Sequence, residues 1–172
     1  MTKSIAHDPT SASEGTARIE RTRDIPVCVD LRIEFQVLMG GPLEPEFEAR
    51  LREANRLHLE RGFAEESTVV WIAKVGTEIA GCVMLQEQRI IPNRSVPNGR
   101  TGLVLNLHVR DGFRRRGIGE RLMREVEAGG RALGLGRLEL QATEMGEGIY
   151  RRMGWKDPHG GTALELTLEV PH

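Results

Sequence analysis

Apolar positions along this 172-residue chain recur with two different periods. After Asp24, the residues Val27, Cys28, Leu31, Phe35 and Leu38 form one helical stripe. Asp24 is placed to cap this helix, Pro26 is tolerated in its first turn, and Gly40-Gly41-Pro42 ends it. Glu44 to Arg61 repeats the helical pattern through Phe47, Leu51, Ala54 and His58, with a densely charged opposite face and Gly62 as its stop. Ile118, Leu122 and Val126 recur every four residues in a third helix expected to reach Leu133, where Gly134 and Gly136 follow.

Strand patterns alternate with these helices. Thr68 to Lys74 and Glu78 to Glu87 are rich in β-branched and apolar residues and flank Gly76-Thr77, which predicts an antiparallel hairpin. Ala17 to Arg21, Leu103 to Val109 and Leu138 to Ala142 read as further strands, and Leu164, Leu166, Leu168 and Val170 alternate with Glu165, Thr167 and Glu169 in the clearest strand of all. Between them, Ile90 to Arg100 carries Pro92, Asn93, Pro97 and Asn98, a composition for an ordered loop bordering the acceptor side. This mixture predicts an α+β domain with a central, largely antiparallel sheet covered by helices, the third helix connecting two central strands.

Composition narrows the functional classes. The length suits one domain over residues 17–172, preceded by a polar, turn-rich segment, residues 1–16, read as a flexible tail. With 24 basic and 25 acidic residues the chain has no overall attraction to nucleic acid or anionic membranes, so an electrostatic site must be local. Cys28 and Cys82 each lie in an apolar stretch and read as buried, reduced thiols, which makes neither a disulfide framework nor a metal site. No segment has the apolar length of a membrane span and the first residues lack a secretory core, so a cytoplasmic location is expected.

Against that balance stands Arg114-Arg115-Arg116-Gly117-Ile118-Gly119, directly after an apolar strand and at the start of a helix. The first amides of a helix lack intrahelical partners and carry partial positive charge, which suits a pyrophosphate. Gly117 and Gly119 allow close approach to the backbone, and the arginines offer forked donors. An arginine triplet alone is an ordinary solvated charge run, and a lone Gly-x-Gly is an ordinary turn. Their coincidence between strand and amphipathic helix is what carries weight.

The spacing Arg114-x-x-Gly117-x-Gly119, followed by Ile149-Tyr150-Arg151-Arg152-Met153-Gly154-Trp155, resembles the acyl-CoA signature of the GNAT superfamily of N-acetyltransferases. The resemblance extends over roughly Ile19 to Val170. It implies a GNAT-like mixed sheet in which a bulge splays Leu103 to Val109 from Leu138 to Ala142, opening an acyl-CoA cleft. It also implies acetyl-CoA as cosubstrate, with backbone groups near Leu107 and Val109 holding pantetheine and polarising the thioester, and Arg114, Arg115, Arg116, Gly117, Ile118 and Gly119 at the diphosphate. Thr143 stands where an asparagine often contacts the cofactor, and its hydroxyl is a partial replacement or a strand end.

The same resemblance makes Tyr150 the general acid, since a phenol stays protonated at neutral pH and can protonate a leaving thiolate. For the base, Asn106 and His108 lie on the even-numbered face of their strand, opposite Leu103, Leu105, Leu107 and Val109. His108 is a proton-relay candidate but reads more readily as an ordinary packed or surface histidine; Glu87, Glu144 and ordered water are the other candidates. Trp71, Trp155, Phe35 and Phe47 read as packing residues, and Glu44, Glu46 and Glu48 as acids favoured at a helix start. The expected activity is transfer of an acyl group to a small-molecule or peptide amine in a ternary complex, without nucleic-acid or membrane partners. A CoA-sensing module without efficient transfer is the alternative, and exposed edge strands leave a homodimer open.

Overall fold

The computed structural model describes residues 16–158. The tail expected before Thr16 and the alternating strand Leu164 to Val170 therefore lie outside the described residues, apart from Thr16 itself. The chain divides into two compact units, one ending at Gln141 and one beginning at Ala142.

In the first unit, five strands form an open sheet in the order β1-β2-β3-β4-β5: β1 (Arg18–Thr22), β2 (Thr68–Val75), β3 (Glu78–Arg89), β4 (Arg100–Val109) and β5 (Arg137–Leu140). The first three pairings are antiparallel and β4 to β5 is parallel, so the sheet is mixed as expected. The helix between β4 and β5, α3 (Ile118–Ala132), makes the crossover that a parallel pair requires. Its partner strand β5 ends the row of described strands rather than sitting centrally.

Two helices precede the hairpin, α1 (Ile25–Gly40) and α2 (Pro45–Ala64). The Asp24 side chain caps α1 by accepting from the Val27 amide at 3.1 Å. Cys28, Val29 and Ile33 of α1 meet Leu59 and Phe63 of α2 and Val70 and Met84 of the sheet in one core cluster. Leu31 packs with Ile72 and Cys82 in a second. Burial pushes both thiols, Cys28 and Cys82, up to about 12, as expected for reduced cysteines held out of water.

Two helical stripes differ from the expected ones. Leu38 is exposed, and the buried side of α1 is completed by Val29 and Ile33 instead. In α2 the inward row is Leu51, Asn55, Leu59 and Phe63, while Ala54 and His58 face solvent and Phe47 is 42% exposed rather than packed. Asn55 can occupy this row because its amide donates to the Leu51 carbonyl at 2.7 Å. Helix α2 also continues through Gly62 to Ala64, since Phe63 supplies another apolar anchor.

On the opposite face, α3 buries Ile118, Leu122 and Val126, the expected row, and adds Met123, Gly129 and Gly130. A Cβ at Gly129 would lie 2.7 Å from the Trp71 ring, so this glycine is what lets α3 close on the sheet. The loop after β3 is ordered, as its composition implies: Asn93 Oδ1 accepts from the amides of Ser95 and Val96, and Val96 is fully buried. Asn98 ties this loop to the Gly134 carbonyl, beside the turn into β5. It thus sits at the start of β4, at the opposite end of that strand from the arginine turn.

The second unit contains α4 (Glu144–Arg152), capped by the Thr143 hydroxyl, which accepts from the Gly146 amide at 3.2 Å.

Candidate active site

The chemistry-bearing part of β4 begins where its regularity fails. The register between β3 and β4 slips between Cys82 and Met84, leaving two β4 residues, Asn106 and Leu107, opposite Val83 alone. Asn106 has φ of 60°, the left-handed region that asparagine tolerates better than most residues, and it marks a β-bulge. The bulge changes which face the side chains take. Leu105 packs in the cluster under α1 and α2, yet Asn106 and His108 also contact α1, through the Leu31 carbonyl and Glu34 respectively. Strict odd and even alternation along this strand is therefore replaced by a switch at Asn106.

The bulge coincides with the parting of β4 from β5. Parallel pairing runs only from Thr101 and Arg137 to Val104 and Leu140. From Leu105 to Val109, a stretch that includes Leu107, β4 has no strand partner on the β5 side among the described residues.

Beyond Val109 the chain makes a short 3₁₀ turn, Asp111–Phe113, and then the arginine segment. Arg115 has φ of 61°, and Gly117 follows in the left-handed conformation as the N-cap of α3, with φ of 71°. No side chain caps this helix, and a Cβ at Gly117 would meet nothing within 4 Å. No side chain closes the first amides of α3, whereas α1 and α4 are closed by Asp24 and Thr143. Ile118 and Gly119 are buried at the base of this turn.

The three arginines have different surroundings. Arg114 is engaged within the loop: its Nε donates to the Val109 carbonyl at 2.9 Å and its Nη1 pairs with Asp111 at 2.7 Å. These contacts hold Arg114 against the turn. Arg116 lies over the Phe113 ring at 5.6 Å, and Arg115 is exposed.

His108 is 7% exposed, with Nε2 3.0 Å from Glu34 Oε1. Arg110 grips the same carboxylate with both arms, Nε to Oε1 at 2.9 Å and Nη2 to Oε2 at 2.6 Å. The Arg110 guanidinium, with His108 adding to its effect, holds the Glu34 carboxyl below the usual carboxylate range. Phe35 closes on the imidazole edge, with ring centroids 6.5 Å apart.

Of the other base candidates, Glu87 is held by Arg100 and Arg89 near the start of β4, and Glu144 is exposed on α4. A polar cavity of about 450 Å³ between α2 and the far end of β3, lined by His58, Arg61, Gln86 and Arg89 among others, lies at the same remote end.

In the second unit, Tyr150 is 8% exposed and packs against Trp155 with ring centroids 6.1 Å apart. Burial pushes its phenol above the ordinary range, so it holds its proton at neutral pH. The Thr143 oxygen is occupied by its capping role.

Glu34, Arg110 and Arg32 were not among the expected site residues. Their signal is faint: three polar side chains, Arg32, Glu34 and Gln36, interrupt the apolar stripe of α1, and only the fold reveals which of them turn inward.

Known proteins share this mixed sheet with its helices. A predicted acetyltransferase from Clostridium acetobutylicum, crystallised with acetyl-CoA, superposes with a TM-score of 0.75 at 18% identity, covering 87% of this chain and 96% of that one. A GCN5-related N-acetyltransferase from Ralstonia eutropha gives 0.71 at 25% identity, over 87% and 99%. Glucosamine-6-phosphate N-acetyltransferase from Arabidopsis thaliana gives 0.63 at 15% identity, over 88% and 99%. No curated protein sequence matches closely enough to count as a relative. Residues 35–155 match the Acetyltransferase (GNAT) family, and the chain belongs to it.

Proposed function

We propose that this protein transfers the acetyl group of acetyl-CoA to a primary amine by direct attack in a ternary complex. The observation that carries the reading is the coincidence of two openings, the uncapped start of α3 at Gly117 and the unpartnered edge of β4 after the Asn106 bulge. The residues present fit the cosubstrate. Amides at Ile118 and Gly119 would hold the diphosphate with help from Arg115 and Arg116, and the backbone near Leu107 and Val109 would hold the pantetheine arm. Acetyl-CoA supplies an activated thioester carbonyl; the protein supplies alignment and protons.

An amine must be neutral to attack. His108 accepts its proton at the nitrogen that does not face Glu34, and Glu34, itself fixed by Arg110, orients the ring and stabilises the charge it gains. Backbone donors on the freed β4 edge polarise the carbonyl. As the N–C bond forms and the C–S bond breaks, Tyr150 delivers its proton to the sulfur, a role that rests on the Tyr150 to Trp155 pattern and on the protonated state that burial favours.

The test is CoA release from acetyl-CoA across a panel of primary amines, alongside direct titration with acetyl-CoA. Binding with amine-dependent release is expected. Binding without release from any amine would favour a CoA-sensing module instead.

A further inference from the structure

We propose that the amine substrate carries a carboxylate, and that Arg32 binds it; this rests on the acetyl-transfer reading above. Helical geometry puts Arg32 one turn beyond Cys28, inside the arc of α1 that buries Cys28, Val29, Leu31 and Ile33. A core-facing position in that arc calls for an apolar side chain. It holds a half-buried guanidinium instead.

The contacts of this guanidinium are all neutral. Nη1 donates to Asn106 Oδ1 at 3.3 Å. The Gln36 amide, turned so that its oxygen faces the guanidinium, accepts from Nη1 and Nη2 at 3.2 and 2.9 Å. Among the described residues no Asp or Glu pairs with Arg32, although Arg52, Arg100, Arg110 and Arg114 each hold a carboxylate. The two nearest acids along α1 are both engaged elsewhere, Asp30 by Arg52 and Glu34 by Arg110 and His108. Burial pushes Arg32 below the usual guanidinium range with no acid to offset it. A charge withdrawn from water without a counter-ion costs stability, so a position that keeps one implies an anion from elsewhere.

Position and chemistry say which anion. Asn106 is the bulge residue, two beyond the point where β4 leaves β5, and His108 follows it by two residues on the same side. Two strand residues span on the order of 7 Å, so a group held beside Asn106 and an amine presented to His108 fit one small molecule of amino-acid size. A single guanidinium between neutral amides balances one negative charge, and its planar fork matches a carboxylate. A phosphate dianion would leave a charge uncompensated near Glu34.

The experiment compares a panel of L-amino acids with the matching carboxamides, using the full chain and its Arg32→Gln variant. Three readouts are taken: kcat and KM with acetyl-CoA, the shift in Tm on adding amino acid or carboxamide without cofactor, and the Tm of the free proteins. For wild type, the best amino acid exceeds its carboxamide in kcat/KM by roughly 10- to 100-fold. In Arg32→Gln this preference disappears through KM, with acetyl-CoA affinity unchanged. Amino acids raise the wild-type Tm more than carboxamides do, the variant shows no such difference, and its ligand-free Tm is equal or higher.

Equal use of acids and amides by wild type, a preference for phosphorylated amines, or a lowered Tm in the unliganded variant would overturn the proposal. Failure of acetyl-CoA to bind would instead sink the acetyl-transfer reading. The cofactor-free shifts would still decide the role of Arg32.

Discussion

Glu34 Oε1 stands 3.0 Å from His108 Nε2, joining a helix to a strand across 74 positions of sequence. Arg110, two residues beyond His108, clamps the same carboxylate, so the imidazole orientation is set by a network and not by the strand alone. On the proposed mechanism Glu34 is a positioning residue, whose loss is expected to act through His108. Glu34→Gln should lower kcat by roughly 10- to 100-fold, by analogy with groups that orient a metal-bound imidazole, with KM for acetyl-CoA little changed. His108→Gln should cost at least as much, and the double variant no more than His108→Gln. Independent, additive losses in steady-state kinetics would remove the link.

The Glu34 carboxylate, held chiefly by Arg110, makes a pH-dependent contribution to stability. Because the folded protein holds Glu34 below the ordinary carboxylate range, its stabilising effect is fully present above the unfolded value of about 4.3 and is lost as pH falls through the depressed folded value. Denaturant melts of wild type and Glu34→Gln should therefore differ by about 1–2 kcal/mol at neutral pH, a figure reduced for partial exposure. The difference should shrink below pH about 4.3 as the carboxylate is protonated. A gap that stays constant into acid would contradict the linkage.

Gly129 is needed for the approach of α3 to the sheet. Replacing it with alanine puts a methyl 2.7 Å from the buried Trp71 ring, which has no room to withdraw. Gly129→Ala should lose about 1–3 kcal/mol by equilibrium denaturation, even though alanine is the better helix former. A gain in stability would show that the ring yields freely.

Tyr150 separates catalysis from binding. In Tyr150→Phe the buried ring and its packing on Trp155 remain, and only the hydroxyl with its proton is removed. Turnover should fall by about 10²- to 10⁴-fold while calorimetric affinity for acetyl-CoA stays the same. Unchanged turnover would take the acid role from this residue.

Much of this architecture was legible before the fold was known. Asp24 and Pro26 located α1, Gly76-Thr77 located the hairpin, and the row Ile118, Leu122, Val126 located α3 and its buried face. These signals are local, and turn chemistry and periodicity suffice to read them. The α2 stripe was misread because Asn55 satisfies its amide on its own helix and so can lie inward, which places the true row one residue from the apparent one. The bulge at Asn106 escapes periodicity altogether, since an extra residue reverses the alternation on which a strand reading depends. Glu34, Arg110 and Arg32 acquire meaning only when α1 lies on β4, a contact no local pattern encodes.

The most direct measurement is a calorimetric comparison of acetyl-CoA with S-acetylpantetheine, which keeps the thioester and lacks the nucleotide diphosphate. With the diphosphate seated on the opening amides of α3, the truncated compound should bind at least roughly 100-fold more weakly. Equal affinities, or no binding of acetyl-CoA at all, would contradict the account.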